Sequence, residues 1–391
     1  NGGGVNATIN GVSVGKGANS AAHNTVLGEA ALDAAVTGTG NTAIGKSVLS
    51  ANTSGAANTG LGAFALTNVT TGTNNTGVGR SVLTTLVNGS QNTGIGGYAL
   101  NSNISGAENT AVGFNSLLSN TSGANNTAVG SRSLDVNTTA SNNTAIGYAS
   151  LGANTTGFDN VAVGSLTLDV NTTGFGNTGL GRGVLGANTT ASQNTGVGYL
   201  ALAANTTGAQ NVAVGNHSLD ANTTAEFNTA IGAHSLGSNT TGNNNTALGK
   251  SALTLNTTAS NNTAVGFSAL FANTTGAQNV AVGADSLDAN TTGQHNVSIG
   301  YRSLSANTTA SDNTAIGKDT LLSNTTGTSN VAVGANALDN NTTGQENVAV
   351  GRHAGSAITT GSDNVFVGDL AGQVQTTASN NTGIGSFALN A

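Results

Sequence analysis

The chain has 391 residues, of which 58 are glycine, and it contains no Cys, Pro, Met or Trp. Only 6% of the residues are charged, and the formal net charge is −7. The lack of thiols excludes a disulfide framework, a thiolate metal site and a cysteine nucleophile. The acidic balance argues against nucleic acid as a partner, and no apolar run approaches the roughly 18 residues of a membrane span, so no membrane insertion is expected. No initiator Met or signal peptide is visible, so we expect a processed protein or a fragment.

Two segments follow one another along the chain. Residues 1–23 are predicted to form an N-terminal lead-in segment with an irregular first coil, and residues 24–391 form a repeat. Glycines recur every 17 residues from Gly28 to Gly385, which gives 22 copies without insertion or deletion. Such a strict period indicates repeats that stack on one another, each a coil with no room for an extra residue.

The columns of the repeat separate into invariant and variable positions. With Asn126 as position 1, Asn occupies position 1 in all 22 coils, and Val, Ile or Leu occupies position 4 in all 22. Position 9 is Leu in 20 coils, with Gly355 and Gly372 as exceptions, and position 12 is Asn in 16 of 21. Most replacements at position 12 are apolar, so this column is predicted to point inward. The predicted structural ladders are represented by Asn126, Val129, Gly130, Leu134 and Asn137.

Charged and aromatic residues are confined to a few columns. All nine basic residues lie at positions 6 or 7, and all 16 acidic residues lie at positions 6, 7, 10, 16 or 17. Twelve of the 13 aromatic residues share these columns, and the exception is Phe366 at position 3. Because charge avoids burial, these columns are predicted to face solvent.

The composition of the coil favours strands over helices. Residues rich in Gly, Asn, Thr and Val have poor helix propensity, and two strands are predicted, at positions 1–5 and at about 8–12. Identical coils would then stack with a rise of about 4.8 Å, and the buried Asn side chains would form amide ladders. The sequence therefore predicts an all-β fold, a parallel β-solenoid (β-roll) of about 22 coils with a 17-residue period. Its length would be on the order of 105 Å.

Neither face of the first strand varies freely, which bears on the oligomeric state. Position 4 is always aliphatic and position 3 is nearly always small, so we expect both to be hidden. A coil with two or three apolar side chains has a thin core. The free energy gained by burying them must offset the entropy lost when the backbone of the coil is ordered. We therefore expect self-association as a parallel homotrimer. The alternative is a monomeric coil in which position 3 is small for local steric reasons.

The string N-T-A-V-G-x-x-S-L resembles the head repeats of trimeric autotransporter adhesins, the YadA-like head. That resemblance implies a left-handed parallel β-roll that trimerises on a bacterial surface, although the family's unit is usually shorter. The full 17-residue form with A-L-x-x-N-T-T-G, and the segment from Ala7 to Gly17, are similar to repeats of phage tail-fibre and large surface-fibre proteins. Both families use the rod as a spacer or display surface.

No residue set predicts catalysis, a cofactor or a metal. His217 and His234 are one period apart and should stack about 4.8 Å apart, but no third ligand joins their column. All 16 Asn residues at position 12 begin glycosylation sequons, yet we interpret the string as turn chemistry around an inward Asn. Ice binding is disfavoured because the adjacent Thr residues at positions 13 and 14 should point to opposite faces.

The preferred functional hypothesis is a non-enzymatic extracellular fibre, adhesive or structural, at a cell surface or on a virion. Its exposed aromatic residues would contact a host-surface or matrix ligand with avidity from repetition. These candidate contacts are Phe114, Tyr148, Tyr199, Phe267 and Tyr301. The alternatives are a phage tail-fibre shaft and a filament subunit that stacks end to end, since the sequence stops at Ala391 in mid-coil. An enzyme such as a depolymerase is disfavoured for want of an acid/base pair.

Overall fold

The computed structural model describes residues 7–390, which fall into two compact units that divide between Gln193 and Asn194. Both units are all-β, and within the described range the only helix is a short 3₁₀ turn at Ala18–Ser20. In the first unit the strands are β1 Ala7–Ile9, β2 Val12–Gly15, β3 Thr25–Gly28, β4 Thr42–Ile44, β5 Thr59–Leu61, β6 Thr76–Val78, β7 Thr93–Ile95, β8 Thr110–Val112, β9 Thr127–Val129, β10 Thr144–Ile146, β11 Val161–Val163 and β12 Thr178–Leu180. In the second unit they are β13 Thr195–Val197, β14 Val212–Val214, β15 Thr229–Ile231, β16 Thr246–Leu248, β17 Thr263–Val265, β18 Val280–Val282, β19 Val297–Ile299, β20 Thr314–Ile316, β21 Val331–Val333, β22 Val348–Val350, β23 Val365–Val367 and β24 Thr382–Ile384.

Strand pairing follows the 17-residue period. The first unit begins with antiparallel pairing of β1 with β2 and of β2 with β3. From β3 to β12 each strand pairs in parallel with the next, and β13 to β24 do the same in the second unit. The register keeps like positions side by side, so that Ile146 pairs with Val129 on one side and Val163 on the other. The prediction of a parallel β-solenoid with a 17-residue period is confirmed.

Each coil contains one strand, at positions 2–4, where the β-branched residues favour extended backbone. The second strand predicted at positions 8–12 is wrong, because this stretch consists of turns. Its backbone is left-handed at positions 7 and 9, with φ of 58° at Arg132 and 51° at Leu134. The turns still bond to the next coil, since the Leu134 N–H donates to the Ser150 carbonyl over 3.1 Å. Stacking therefore satisfies the backbone without a second strand.

The interior of the coil is narrow and semi-polar. In the representative coil the fully buried residues are Asn126, Ala128, Ser133, Leu134 and Asn137, at positions 1, 3, 8, 9 and 12. The small residue at position 3 is thus an interior residue that faces the Leu column. The charged columns face outward in most coils, as predicted, although Asp319 is an exception that is only 8% exposed.

Three irregular residues of the repeat form one compensating cluster. Phe366 takes the place of Ala at position 3 and is fully buried. A Cβ on Gly355 would lie 3.0 Å from Cδ2 of Phe366, and a Cβ on Gly372 would lie 2.7 Å from its Cγ. The phenyl ring therefore fills the space that two Leu side chains would occupy, so the three departures from the consensus depend on one another.

Candidate functional site

The Asn side chains at position 1 link adjacent coils through hydrogen bonds with the backbone. Asn126 Oδ1 accepts the Asn143 backbone N–H over 3.0 Å, and its Nδ2 donates to Asn109 Oδ1 at 3.1 Å and to the Ala140 carbonyl at 2.9 Å. The backbone N–H to Oδ1 bond recurs from Asn41 onward in the first unit and from Asn211 onward in the second. Each coil thus supplies the acceptor for a buried amide of the next coil.

The Asn column at position 12 makes a ladder of side-chain amides, in which a backbone N–H joins at Asn103, whose Oδ1 accepts from Gly106 over 3.1 Å. Asn137 Nδ2 donates to Asn120 Oδ1 at 2.9 Å and to the Ala140 carbonyl at 3.0 Å. Where the next coil carries Val69 or Ile358 instead of Asn, the buried Oδ1 of Asn52 or Asn341 has no hydrogen-bond partner. The predicted inward orientation of position 12 is confirmed by its burial. A buried amide with its donors engaged is a poor acceptor for a glycan, consistent with the turn interpretation of the sequons.

Position 5 requires glycine for two reasons. The φ angle of Gly130 is 136°, a conformation that L residues rarely adopt. A Cβ there would also lie 2.7 Å from the carbonyl carbon of Gly147 in the next coil. Leu134, in the same coil, is fully buried in a left-handed conformation. Gly130 and Leu134 thus both adopt positive-φ conformations that allow the coils to stack.

Position 4 lies on the outer face of the strand, so the Val129 column is not part of the core of its own coil and would be hidden only by contact with another chain. In the strand, position 3 points inward and positions 2 and 4 point outward, because successive side chains alternate. Val129 is half-buried, and Leu61 and Leu180 in the same file are 45% and 48% exposed. We call the outward residues at positions 2 and 4 the strand face. It combines Thr or Val with Val, Ile or Leu in coil after coil.

The predicted aromatic contacts all lie at position 6 on the surface. In the first unit these are Phe114 and Tyr148, and in the second Tyr199, Phe267 and Tyr301. Their exposed fractions lie between 41 and 52%. The structure also brings in residues that sequence reasoning did not connect with them. Tyr98 lies edge-on to Phe114 with ring centroids 6.1 Å apart, and the guanidinium carbon of Arg80 lies 6.0 Å from the centroid of Tyr98.

The histidine pair stacks as the repeat predicts. The rings of His217 and His234 are parallel within 3° and their centroids are 5.5 Å apart. His217 Nδ1 lies 2.7 Å from a carboxylate oxygen of Asp220. Within residues 7–390 there is no group of three His, Cys, Asp or Glu side chains arranged to hold a metal ion.

Five of the six aspartates at position 10 are half-buried, and the pKa of four of them is shifted. Burial raises the pKa of Asp135, Asp169, Asp288 and Asp339 above its ordinary value. Elsewhere in this column a side-chain donor reaches the position-7 carbonyl of the preceding coil, as Asn101 Nδ2 does at Ser81 over 2.9 Å. An ionised carboxylate cannot donate to that carbonyl, so the position disfavours the charged form.

The Thr residues at position 13 use their hydroxyl groups within the fold. Thr138 Oγ1 donates to the Thr155 carbonyl of the next coil at 3.2 Å, and Thr155 Oγ1 donates to Thr172 in the same way at 3.0 Å. These hydroxyls therefore extend the backbone ladder.

Comparison of the chain with models of known protein families and with curated proteins finds no match. In the described part of the chain, no helix is long and apolar enough to span a membrane. No cavity is present in the same part.

Proposed function

We propose that this protein is a non-enzymatic structural fibre that self-associates side by side through its strand face. The observation that carries the proposal is the aliphatic residue at position 4, which is retained in all 22 coils although it is half-exposed. A position that only met solvent would have no physical reason to stay apolar in every coil, and continuous exposed apolar patches mark interaction sites.

Parallel sheets support the same conclusion, because they are ordinarily covered on both faces. Here the inner face meets the Leu column, whereas the outer face remains half-exposed in the described part of the chain. Three parallel copies with their strand faces inward would cover it with closed symmetry. The trimeric state itself draws on the resemblance of N-T-A-V-G-x-x-S-L to trimeric head repeats.

A fibre of this kind would work outside the cell, on a cell surface or a virion, as a spacer that carries or displays ligand-binding residues. The sequence resembles both adhesin heads and tail-fibre shafts, so the resemblance does not favour the cell surface over the virion. Antibody labelling of intact cells and of purified virions from the source would distinguish them.

The test is the mass of the purified chain in solution by light scattering. We expect three times the mass of one chain, and we expect the variant Ile95→Lys, Val129→Lys, Val163→Lys to dissociate, because burying these charges in an apolar interface is costly. The matched control carries three lysines at the exposed position 14, Thr139→Lys, Thr156→Lys, Thr173→Lys, and should stay associated. A monomeric parent protein at micromolar concentration would overturn the proposal. Filaments whose length grows with concentration would indicate end-to-end stacking instead.

A further inference from the structure

One strip of the surface in the first unit combines aromatic and basic side chains in six consecutive coils. We call it the basic–aromatic strip, and it consists of Phe64, Arg80, Tyr98, Phe114, Arg132 and Tyr148. Each coil from residue 58 to residue 159 contributes one of these side chains at position 6 or 7. Stacked coils place them along one edge of the solenoid, about 4.8 Å apart per coil.

The middle of the strip is a continuous contact surface. Arg80 lies over Tyr98 at 6.0 Å, and Tyr98 meets Phe114 edge to face at 6.1 Å. Phe114 and Tyr148 nonetheless keep about half of their surface open to solvent, at 52% and 51%. Aromatic rings that remain this exposed offer flat apolar faces to a partner.

The charge of the strip is positive in a chain whose net charge is −7. None of its six coils carries an acidic residue at position 6 or 7. In the described part of the chain, neither Arg80 nor Arg132 has a carboxylate within 4.0 Å. By contrast, Arg352 in the second unit makes a two-point ion pair with Asp369, at 3.0 and 3.1 Å. Asp135 lies near Arg132 in the same coil without forming an ion pair within 4.0 Å; burial raises the pKa of Asp135, and the charge of Arg132 acts in the opposite direction.

We propose that the basic–aromatic strip binds an acidic polysaccharide, with the aromatic rings stacking on the apolar faces of sugar rings and the arginines pairing with carboxylates. Arginine suits this role because its planar fork binds a carboxylate through two hydrogen bonds. The proposal rests on the proposed extracellular function and names the ligand of such a fibre.

The spacing of the positive charges favours a polysaccharide over a nucleic acid. Arg80 and Arg132 are three coils apart, which corresponds to about 14 Å along the stack. A DNA strand presents a phosphate about every 3.4 Å, so most of its charges would face an acidic protein without a counter-charge. A polymer with carboxylates on separated sugars matches a sparse row of arginines.

The experiment measures binding of the full chain to hyaluronate, which carries a carboxylate on every second sugar, by isothermal titration calorimetry, with fully methyl-esterified hyaluronate as the matched uncharged polymer. We expect binding to the acidic form only, and we expect it to weaken with added salt. Arg80→Gln with Arg132→Gln should weaken binding about five-fold or more, and Phe114→Ala with Tyr148→Ala by a similar factor.

The control variant is Phe158→Ala with Phe175→Ala, because these two rings stack on another edge of the first unit, with centroids 5.0 Å apart. Its affinity should stay within about two-fold of the parent. Equal binding of the esterified polymer, unchanged affinity of the arginine variant, or tighter binding to an oligothymidylate would overturn the proposal. The solution mass separates the two proposals. A trimer that does not bind the acidic polysaccharide overturns only the proposed ligand, and a monomer that binds it overturns only the proposed association of chains.

Discussion

The Asn columns at positions 1 and 12 look alike in the sequence, but the structure predicts that they contribute unequally to the stability of the coil. In the variant Asn126→Ala, the backbone N–H of Asn143 loses its only acceptor, and it lies in a fully buried residue. The two bonds donated by Asn126 Nδ2 also disappear, although their acceptors keep other donors. Asn109 Oδ1 still accepts the backbone N–H of residue 126, and the Ala140 carbonyl still accepts Asn137 Nδ2.

The magnitude follows from these contacts. A buried donor without a partner costs about 1–3 kcal/mol, and each lost hydrogen bond contributes about 1 kcal/mol. We expect Asn126→Ala to destabilise its coil by about 3 kcal/mol. Asn137→Ala also removes three hydrogen bonds, because Asn154 Nδ2 loses Asn137 Oδ1 as an acceptor, but Asn154 Nδ2 keeps the Gly157 carbonyl. The Asn120 Oδ1 is left without a partner, as the native chain already tolerates at Asn52, and no backbone amide is orphaned. The expected cost of Asn137→Ala is therefore smaller, about 1–2 kcal/mol.

Hydrogen exchange is the appropriate assay, because stacked repeats open locally and a single unfolding free energy is not defined for them. A loss of about 3 kcal/mol should accelerate exchange of the amides around residue 143 by roughly 100-fold. Amides near residue 300, in the other compact unit, serve as an internal reference and should be unaffected. Equal acceleration by Asn126→Ala and Asn137→Ala would refute the argument that position 1 is kept for its bond to the backbone.

Three further predictions concern stability. Phe366→Ala should cost about 3–5 kcal/mol by leaving a cavity, and adding Gly372→Leu should recover part of this loss, as measured by hydrogen exchange in the same coils. Asp288→Asn should stabilise the protein at pH 7 by about 1 kcal/mol but not below pH 3.8, the ordinary pKa of the carboxyl. Because burial raises the pKa of Asp288, the stability of the parent protein falls as pH rises above that value. The readout is hydrogen exchange of the 279–295 coil, compared between variant and parent at each pH. Gly130→Ala should cost more than about 2 kcal/mol, whereas Gly237→Ala at position 10, where Ala203 occurs naturally and a Cβ would lie 3.4 Å from the His234 carbonyl oxygen, should cost less than half of that in the same assay.

Several features of the fold could be predicted because the repeat exposes them 22 times. The fixed period specifies stacking, and the confinement of charge to a few columns identifies most of the outer surface. The inward orientation of Asn137 followed from the apolar replacements in its column. The first strand, predicted at positions 1–5, forms at positions 2–4.

Other features depend on contacts that the sequence does not display. The sequence pattern did not indicate a left-handed backbone at Leu134, since that conformation costs an L residue about 1–2 kcal/mol and is stable only where burial and inter-coil hydrogen bonds offset it. The sequence did not show, for a related reason, that the face carrying Val129 is the outer one. An aliphatic column was taken for the core, whereas the narrow interior next to the Leu column accepts only the small residue at position 3.

The sequence by itself determined the period, the stacking and the columns that may vary, because every coil must present the same surface to its neighbours. Only the tertiary structure decided which apolar column lies inside, which Asn column holds the backbone, and which aromatic and basic side chains meet along one edge. These outcomes depend on how the chain turns between positions 5 and 12, and turns built on left-handed residues reverse side-chain directions that a strand pattern would predict.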